Sequence, residues 1–298
     1  MNFLQRLFSP PKTEPPLQAQ DTPTAESERL SQNKRVKHLP PGLHVGKLSD
    51  IGRVRERNED SLYVIESFVQ HNYGQEPFGL FIVADGMGGH QKGEVASSLA
   101  VRTAANHVLK DVYLSYLSGN DRSSASRPIN EVLVAAVESA NLAVQEQIPE
   151  GGTTLTLALV MGSSAYIAHV GDSRVYFFNQ DELKQVTKDH SYVQRLVELG
   201  QETPQGALSH PQRNVLYRAI GQGGVMEVDT YLQYLPPGSS LLLCSDGLWS
   251  LVREETLKEI ISTSETPQEI CDRLIAAANE QGGEDNITAI VVSMGLDN

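Results

Sequence analysis

The segment VADGMGGHQKGEVAS, residues 83–97, joins an apolar run to a helix-like run through one aspartate and three glycines. Glycine-rich turns between a strand and a helix often bind phosphate through their backbone amides. Here the turn begins with Asp85, which follows the apolar residues 80–84 and whose carboxylate would repel a phosphate. The segment therefore predicts a buried strand that ends in an acidic ligand.

Runs of two periodicities surround this segment. Strands are predicted at 44–49, 61–66, 79–84, 153–161, 164–170, 173–178, 228–235, 240–244 and 286–293, and helices at 91–117, 129–144, 253–262 and 267–281. Strands dominate both ends of this region, and a short Gly-Ser-Ser turn joins two of them as in a hairpin. This order differs from the strict alternation of a parallel sheet. It predicts an α+β fold of antiparallel sheets with helices on their outer faces.

Composition separates a tail from a domain. Residues 1–43 hold seven of the fifteen prolines, together with many Gln, Thr, Ser and Glu residues. Such a segment cannot bury enough apolar surface to offset its ordering entropy, so a disordered tail is predicted. Residues 44–298 show no second break of this kind and are predicted to form one domain.

Charge and cysteine content exclude several classes of protein. Lys+Arg 24 against Asp+Glu 37 gives a net charge of −13, which argues against nonspecific nucleic-acid binding. No run of 18 apolar residues predicts a membrane span. Cys244 and Cys271 suit a reducing cytosol, and neither is followed six residues later by the arginine of a cysteine-phosphatase loop. No Gly-Lys-Ser/Thr P-loop or His-Arg-Asp loop of a nucleotide-triphosphatase or kinase occurs.

Carboxylates stand at the ends of several predicted strands. They are Glu59, Asp60, Asp85, Asp172, Asp246 and Asp285. Such a cluster of like charges is unfavourable unless protons or cations neutralise it. Oxygen ligands without cysteine or paired histidine select Mg²⁺ or Mn²⁺ over zinc. Gly86 and Gly247 follow two of the aspartates and would let backbone carbonyls and waters approach the ions.

Each of these positions has a simpler interpretation. Asp-Gly is a common turn dipeptide, the Glu59–Asp60 pair could be solvated, and Asp172 could close a β-hairpin. Two Asp-Gly pairs after strongly apolar strands favour a metal site. Arg55 could be a surface charge, but its place just before the acidic pair suits phosphate binding by its planar fork.

In these residues the chain resembles the metal-dependent protein serine/threonine phosphatases of type 2C, the PPM family, and in particular their bacterial branch. The resemblance spans residues 45–293 and runs in family order through SDIGRVRERNEDS (49–61), VADGMGGHQKGEVAS (83–97), GGTTLTLALV (151–160), AHVGDSRVY (168–176), LKQVTKDHS (183–191), VLYRAIG (215–221), LLLCSDGLW (241–249) and GGEDNITAIVV (282–292). It implies a four-layer α-β-β-α sandwich, two antiparallel sheets flanked by helices. It also implies two Mn²⁺ or Mg²⁺ ions at one end, and a third, looser ion in bacterial members.

The resemblance also implies roles for individual residues. Asp85 would bridge both ions, the Gly86 carbonyl would help hold the second, and Arg55 would bind the phosphate. The remaining metal ligands would be Asp246 and Asp285 at the first ion, Glu59 and Asp60 near the second, and Asp172 with Asp246 at the third. Residues 192–224 correspond to a mobile flap beside the site.

The implied reaction hydrolyses phosphoserine and phosphothreonine in proteins by direct attack of a metal-bridging water, without a phosphoenzyme. One departure is Met87, which stands where many eukaryotic relatives carry a proton-donating histidine. His90 or a metal-bound water would replace it. A hydrolase of small phosphate esters and a noncatalytic pseudophosphatase are the alternatives, although all the expected carboxylates are present. We expect a cytoplasmic monomer whose partners are phosphorylated proteins and a cognate Ser/Thr kinase that it opposes.

Overall fold

A computed structural model describes residues 39–71, 74–88, 92–117, 127–223 and 226–296, and its strands form two antiparallel sheets. The first sheet has the order β1-β11-β10-β7-β8, with β1 Leu43–Asp50, β7 Arg174–Asn179, β8 Glu182–Gln185, β10 Ser240–Cys244 and β11 Ile287–Met294. The second has the order β2-β3-β5-β6-β9, with β2 Asp60–His71, β3 Gly74–Met87, β5 Leu155–Met161, β6 Ser164–Val170 and β9 Asp229–Tyr234, and β4 Gly152–Thr153 pairs with β3.

Two groups of helices cover the sheets, and shorter helices lie in the connections. The helices are α1 Lys92–Val108, α2 Leu114–Leu117, α3 Ile129–Gln147, α4 Tyr192–Glu198, α5 Pro204–Leu208, α6 Asp246–Trp249, α7 Glu254–Thr263 and α8 Pro267–Glu280. A π-helical turn, Leu109–Tyr113, joins α1 to α2. At the start of α8 the Thr266 side chain accepts a hydrogen bond from the Glu269 amide, and Pro267 occupies the first turn, as is typical of helix N-termini.

The layers follow from the alternation of side chains along the strands. In β3, Phe81 and Val83 pack between the two sheets, against residues such as Leu243 of the other sheet. Leu80 and Ile82 of the same strand face outward and pack under α1 and α3. Because both faces of this strand are buried, its sequence is continuously apolar. Helices α7 and α8 cover the outer face of the other sheet, so the predicted four-layer α-β-β-α sandwich is confirmed.

The structure refines several predicted elements. The predicted strand 153–161 is interrupted at Thr154, so that β4 pairs with Gly86 and Met87 while β5 pairs with the body of β3. The hairpin interpretation of Asp172 is wrong, because β6 and β7 belong to different sheets and the turn crosses between them. The strand Glu182–Gln185 and the helices α4 and α5 were not predicted, since they are short and carry little apolar periodicity.

The predicted boundary at residue 43 stays a prediction, because residues 1–38 lie outside the described residues. The residues just before β1 contact the residues that follow the last strand, β11. The Gly295 amide donates to the Gly42 carbonyl at 2.8 Å, and the Leu296 amide donates to the Leu39 carbonyl at 3.2 Å. No helix in the described part of the chain is long and apolar enough to cross a membrane.

Candidate metal and phosphate site

One end of the sandwich brings the predicted aspartates together. Asp60 and Asp85 are directly paired in the register of β2 and β3. Asp246 begins α6 immediately after β10, and Asp285 lies just before β11 in the same sheet. Asp172 reaches this end through the crossover from β6 to β7. Burial and the charges of Asp246, Asp60 and Asp172 all raise the pKa of Asp85, so these four carboxylates lie within electrostatic reach of one another.

The break in the strand at Thr154 fixes the backbone of Asp85. The Asp85 amide donates to the Thr154 hydroxyl at 2.9 Å. Its carbonyl accepts from the Thr154 amide at 2.9 Å and from the Thr153 hydroxyl at 2.8 Å. Hydrogen bonds to the Asp85 main chain therefore hold its position and leave the carboxylate available for a ligand. Sequence reasoning missed both threonines, although they stand inside the block GGTTLTLALV (151–160).

Asp60 is held from the other sheet. The Ser245 hydroxyl donates to Asp60 Oδ2 at 2.7 Å and accepts from the Thr288 amide at 3.0 Å. The second carboxylate oxygen, Asp60 Oδ1, is buried without a hydrogen-bond partner, and so is Asp246 Oδ1. A buried carboxylate oxygen without a partner is costly unless a cation or a proton reaches it. Ser245 is a second residue that the sequence analysis missed.

The glycines beside the aspartates are required for close backbone packing. A Cβ atom on Gly86 would collide with the Gly93 carbonyl at the start of α1. A Cβ on Gly247 would collide with the Asn286 carbonyl before β11. Close backbone packing therefore explains the glycines at both positions, whereas the sequence analysis expected them to give ions access to the backbone. The ligand role of the Gly86 carbonyl stays a prediction.

Burial and mutual repulsion raise the pKa values of the clustered carboxyl groups. They raise the pKa of Asp60 to about 7, and those of Asp85, Asp172 and Asp246 also lie above the ordinary value for aspartate. The carboxyl groups of Asp85 and Asp246 interact closely, since each contributes to the pKa shift of the other. Among the described residues, no group of three His, Cys, Asp or Glu side chains has the arrangement of a preformed metal shell. The oxygen-only donors, the two orphaned oxygens and the raised pKa values nevertheless fit Mn²⁺ or Mg²⁺.

Arg55 and Glu59 lie on the exposed rim of this cluster. The Arg55 guanidinium donates to Asp285 Oδ2 at 2.7 Å, and its side chain is 51% exposed. Partial burial lowers the pKa of Arg55, but the charge and hydrogen bond of Asp285 together with the charges of Glu59 and Asp246 outweigh it, and the net pKa is raised. Burial is also the main cause that raises the pKa of Glu59, and Arg55 opposes it.

Asn286 holds the loop that carries Arg55. Its side-chain amide donates to the carbonyls of Ile51 and Arg57 at 2.9 and 2.8 Å. Its side-chain oxygen accepts from the Glu59 amide at 2.8 Å. One side chain thus connects the loop to the beginning of β11, next to Asp285. The sequence analysis missed this role. His90 lies outside the described residues.

A double antiparallel sandwich with an acidic, oxygen-only cluster and an arginine at one end defines the class of a metal-dependent phosphatase. The comparisons with known proteins agree. The chain matches the family model described as Protein phosphatase 2C over residues 56–285. It is 38% identical over 257 residues to the serine/threonine phosphatase stp of Listeria innocua. The aligned region covers 85% of this chain and 97% of that protein.

Solved structures give the same result. The structure of the serine/threonine phosphatase PstP/Ppp of Mycobacterium tuberculosis matches with a TM-score of 0.70 and 37% identity, over 85% of this chain and 99% of that one. The PstP catalytic domain in complex with two manganese ions matches with a TM-score of 0.68 and 35% identity, over 86% and 99%. The chain therefore belongs to the protein phosphatase 2C family. The predicted class, a Mn²⁺- or Mg²⁺-dependent protein serine/threonine phosphatase, is confirmed at the level of the family.

Proposed function

We propose that this chain removes phosphate from phosphoserine and phosphothreonine in proteins at the acidic end of its sandwich. The residues that would hold the ions are Glu59, Asp60, Asp85, Gly86, Asp172, Asp246 and Asp285. The observation that carries the proposal is the set of converging aspartates, of which Asp60 and Asp172 are buried and Asp85 and Asp246 half-buried, and whose pKa values are raised by burial and by one another. When bound, the ions would supply positive charge to the phosphoryl group and a water of lowered pKa for in-line attack.

The backbone contacts of the site keep the carboxylates in place during this chemistry. The two threonines that bind the Asp85 main chain and the Ser245 hydroxyl that binds Asp60 are themselves fully or nearly fully buried. Their hydrogen bonds limit how far the carboxylates can move when protons are exchanged for cations. Preorganisation of this kind avoids a reorganisation cost at the moment of reaction.

Arg55 would bind the phosphoryl group of the substrate. Its contact with Asp285 shows that the guanidinium reaches the cluster, and its exposure leaves it open to an incoming phosphoprotein. Release from Asp285 would leave the planar fork available for two phosphoryl oxygens. Met87 has no proton to give to the leaving group, and the role of His90 stays a prediction.

A cytoplasmic location, a monomeric state and a cognate Ser/Thr kinase that the enzyme opposes belong to the same proposal. Cys244 and Cys271 support the reducing compartment, because both are free and buried. Burial raises the pKa of each thiol to about 12, so both stay protonated and unreactive at neutral pH.

Replacement of single aspartates tests the site. Asp85→Ala and Asp246→Ala should each lower the turnover of phosphoserine and phosphothreonine peptides by at least about a hundredfold, because each removes a ligand shared by the cluster. Calorimetric titration should show weakened Mn²⁺ binding, while the metal-free variants stay folded, since the loss of one carboxylate relieves repulsion. Asp272→Ala, on the exposed face of α8, is the control and should behave like the wild type. Near-normal activity and Mn²⁺ binding in either site variant would contradict the assignment.

A further inference from the structure

His190 holds the turn that carries Asp172 by two backbone contacts. Its amide donates to the Gly171 carbonyl at 2.7 Å. In return, the Gly171 amide donates to the His190 ring nitrogen Nδ1 at 3.1 Å. Both main-chain groups of Gly171 are therefore bound by one residue, immediately before Asp172. The His190 side chain is buried, with 1% exposure.

These contacts define the state of the His190 ring. Because Nδ1 accepts from the Gly171 amide, the ring proton lies on Nε2, which is 3.3 Å from Asp229 Oδ2 and 3.0 Å from Arg218 Nη1. The ring lies between His169 and Tyr217, with centroid distances of 4.8 and 5.8 Å. Burial and the charge of Arg218 lower the pKa of His190, which keeps the ring neutral. The ring thus contacts the Gly171 amide at one nitrogen, and Asp229 and Arg218 at the other.

The same residue is attached to the flap, residues 192–224. The His190 carbonyl accepts from the Tyr217 amide at 3.0 Å. The Tyr192 amide donates to the Val215 carbonyl at 2.7 Å, which continues this pairing by two residues. Arg218 then donates to Asp229 Oδ1 at 2.8 Å, so the flap also meets the carboxylate that faces His190 Nε2.

The turn at Gly171 packs against Thr154, the residue that holds the Asp85 backbone. Gly171 has a φ of +112°, and a Cβ at this position would lie 2.6 Å from Thr154 Cβ. The Thr154 hydroxyl bonds the Ser173 hydroxyl at 2.7 Å and accepts from the Asp85 amide. A displacement of the turn would therefore be transmitted to Asp85 as well as to Asp172.

We propose that His190 is a positioning residue that connects the flap to the Asp172 turn, so that the placement of the Asp172 carboxylate depends on where the flap sits. This inference rests on the proposed function, since it takes Asp172 to be part of the site. His190 does not touch the substrate in this role. It acts through the Gly171 backbone.

Two substitutions separate the two ends of the histidine ring. His190→Asn keeps an acceptor near the position of Nδ1 and loses the group that faces Asp229 and Arg218. His190→Gln keeps a donor near Nε2 and loses the acceptor for the Gly171 amide. His210→Asn is the matched control, because His210 belongs to the flap but its Nδ1 accepts from the nearby Gln212 amide.

The Gln variant should be the impaired one. Loss of one hydrogen bond predicts a decrease of about fivefold in kcat on phosphopeptides, with KM nearly unchanged. We also expect a higher Mn²⁺ concentration for half-maximal activity and a weaker last binding event in calorimetry. Hydrogen exchange at the Gly171 amide, measured without metal, should be faster in the Gln variant. The Asn variant and the His210 control should stay within about twofold of the wild type in kcat.

Three results would overturn the proposal. The first is a Gln variant with normal kcat and normal Gly171 exchange. The second is an Asn variant that is impaired while the Gln variant is normal, which would move the role to Asp229. The third is equal impairment of both with equally lowered melting temperatures, which would make His190 a purely structural residue. Asp172→Ala tests the site assignment separately. If that variant keeps normal turnover and Mn²⁺ binding, the proposed role of Asp172 is wrong. Exchange of the Gly171 amide would still test whether His190 holds the turn.

Discussion

Two clusters of charged side chains in this protein differ in how their carboxylates are neutralised. In the acidic cluster at the end of the sandwich, aspartates face one another, and burial with mutual repulsion raises their pKa values. In the flap cluster, Glu198 contacts Lys188 at 2.7 Å and Arg195 at 3.0 Å, and Asp229 contacts Arg218 at 2.8 Å. Burial would raise the pKa values of both carboxyl groups, but Lys188 and Arg195 outweigh it at Glu198, and His190 and Arg218 outweigh it at Asp229, so both pKa values are lowered.

The difference shows where each cluster obtains its counter-charge. The carboxylates of the flap cluster are neutralised by Lys and Arg side chains from neighbouring segments of the chain. This cluster borders a cavity of ≈ 420 Å³. The acidic cluster receives Arg55 on its rim, while Asp60 Oδ1 and Asp246 Oδ1 have no partner in its interior. A carboxylate cluster left in this condition is stabilised by external cations or by protons. The direction of the pKa shift therefore distinguishes a carboxylate cluster that needs external cations or protons from one that is internally neutralised.

Removal of metal is the strongest test of this contrast. The rate on phosphoserine and phosphothreonine peptides should fall to background in excess chelator and return on addition of Mn²⁺ or Mg²⁺, because the acidic cluster cannot supply its own positive charge. The melting temperature should rise with added Mn²⁺, since ions that bind the folded state stabilise it. Full turnover in the presence of chelator would show that the acidic cluster works without cations.

Loss of Arg55 should have the next largest effect. A charge-assisted contact with a phosphoryl group is worth about 1.5–3 kcal/mol, so Arg55→Ala should lower kcat/KM by roughly tenfold to more than a hundredfold. Lysine should restore only part of the loss, because it supplies charge without the planar fork. Steady-state kinetics beside calorimetric Mn²⁺ titration decides the role. Unchanged kinetics would make Arg55 a bystander, and lost Mn²⁺ binding would make it a support of the acidic cluster.

The strands that carry the site could be predicted from the sequence, but their pairing could not. Asp85 and Asp246 follow apolar runs, which predicts strand ends; the structure places Asp85 two residues before the end of β3 and Asp246 two residues after the end of β10. The direct pairing of Asp60 with Asp85 depends on the register of β2 and β3, which is set by contacts between distant residues. For the same reason the sequence left the Asp172 turn open between a hairpin and a metal ligand.

The residues that hold the site were the hardest to predict. Thr154, Ser245 and Asn286 act through a few hydrogen bonds to backbone or side-chain groups far away in the sequence. Such contacts leave no periodic pattern, and a lone Ser, Thr or Asn near a turn is ordinary. His190 is similar, because its importance comes from the contact with Gly171 at 19 residues' separation.

The two clusters should respond to pH in opposite directions in the metal-free protein. Asp60 has a folded pKa of about 7, so below that pH the folded state binds a proton that the unfolded chain releases. Its contribution to the free energy of unfolding therefore falls as pH rises towards 7. Asp229 has a lowered pKa, and its contribution is present above the ordinary aspartate pKa and is lost as pH falls through the lowered value.

Paired variants separate these two contributions in chemical denaturation with chelator present. Asp60→Asn should flatten the decrease in unfolding free energy as pH rises towards 7. Asp229→Asn should flatten the loss at acid pH and lower the stability at neutral pH. If both variants change the unfolding free energy in the same pH range, the opposite pKa directions of the two clusters are wrong.

Truncation of the N-terminal segment should have the smallest effect and should leave both clusters intact. Residues 39–42 contact the residues after β11, whereas the acidic cluster lies at the other end of β1, about 23 Å away for seven residue steps along the strand. Deletion of residues 1–38 should therefore change neither kcat nor the melting temperature. Deletion of residues 1–42 removes the hydrogen bonds at Leu39 and Gly42 and should lower the free energy of unfolding by about 2 kcal/mol, again with unchanged kcat. Denaturation and phosphopeptide kinetics on the two truncations decide this, and a large loss of stability in the shorter deletion would show that the tail belongs to the folded domain.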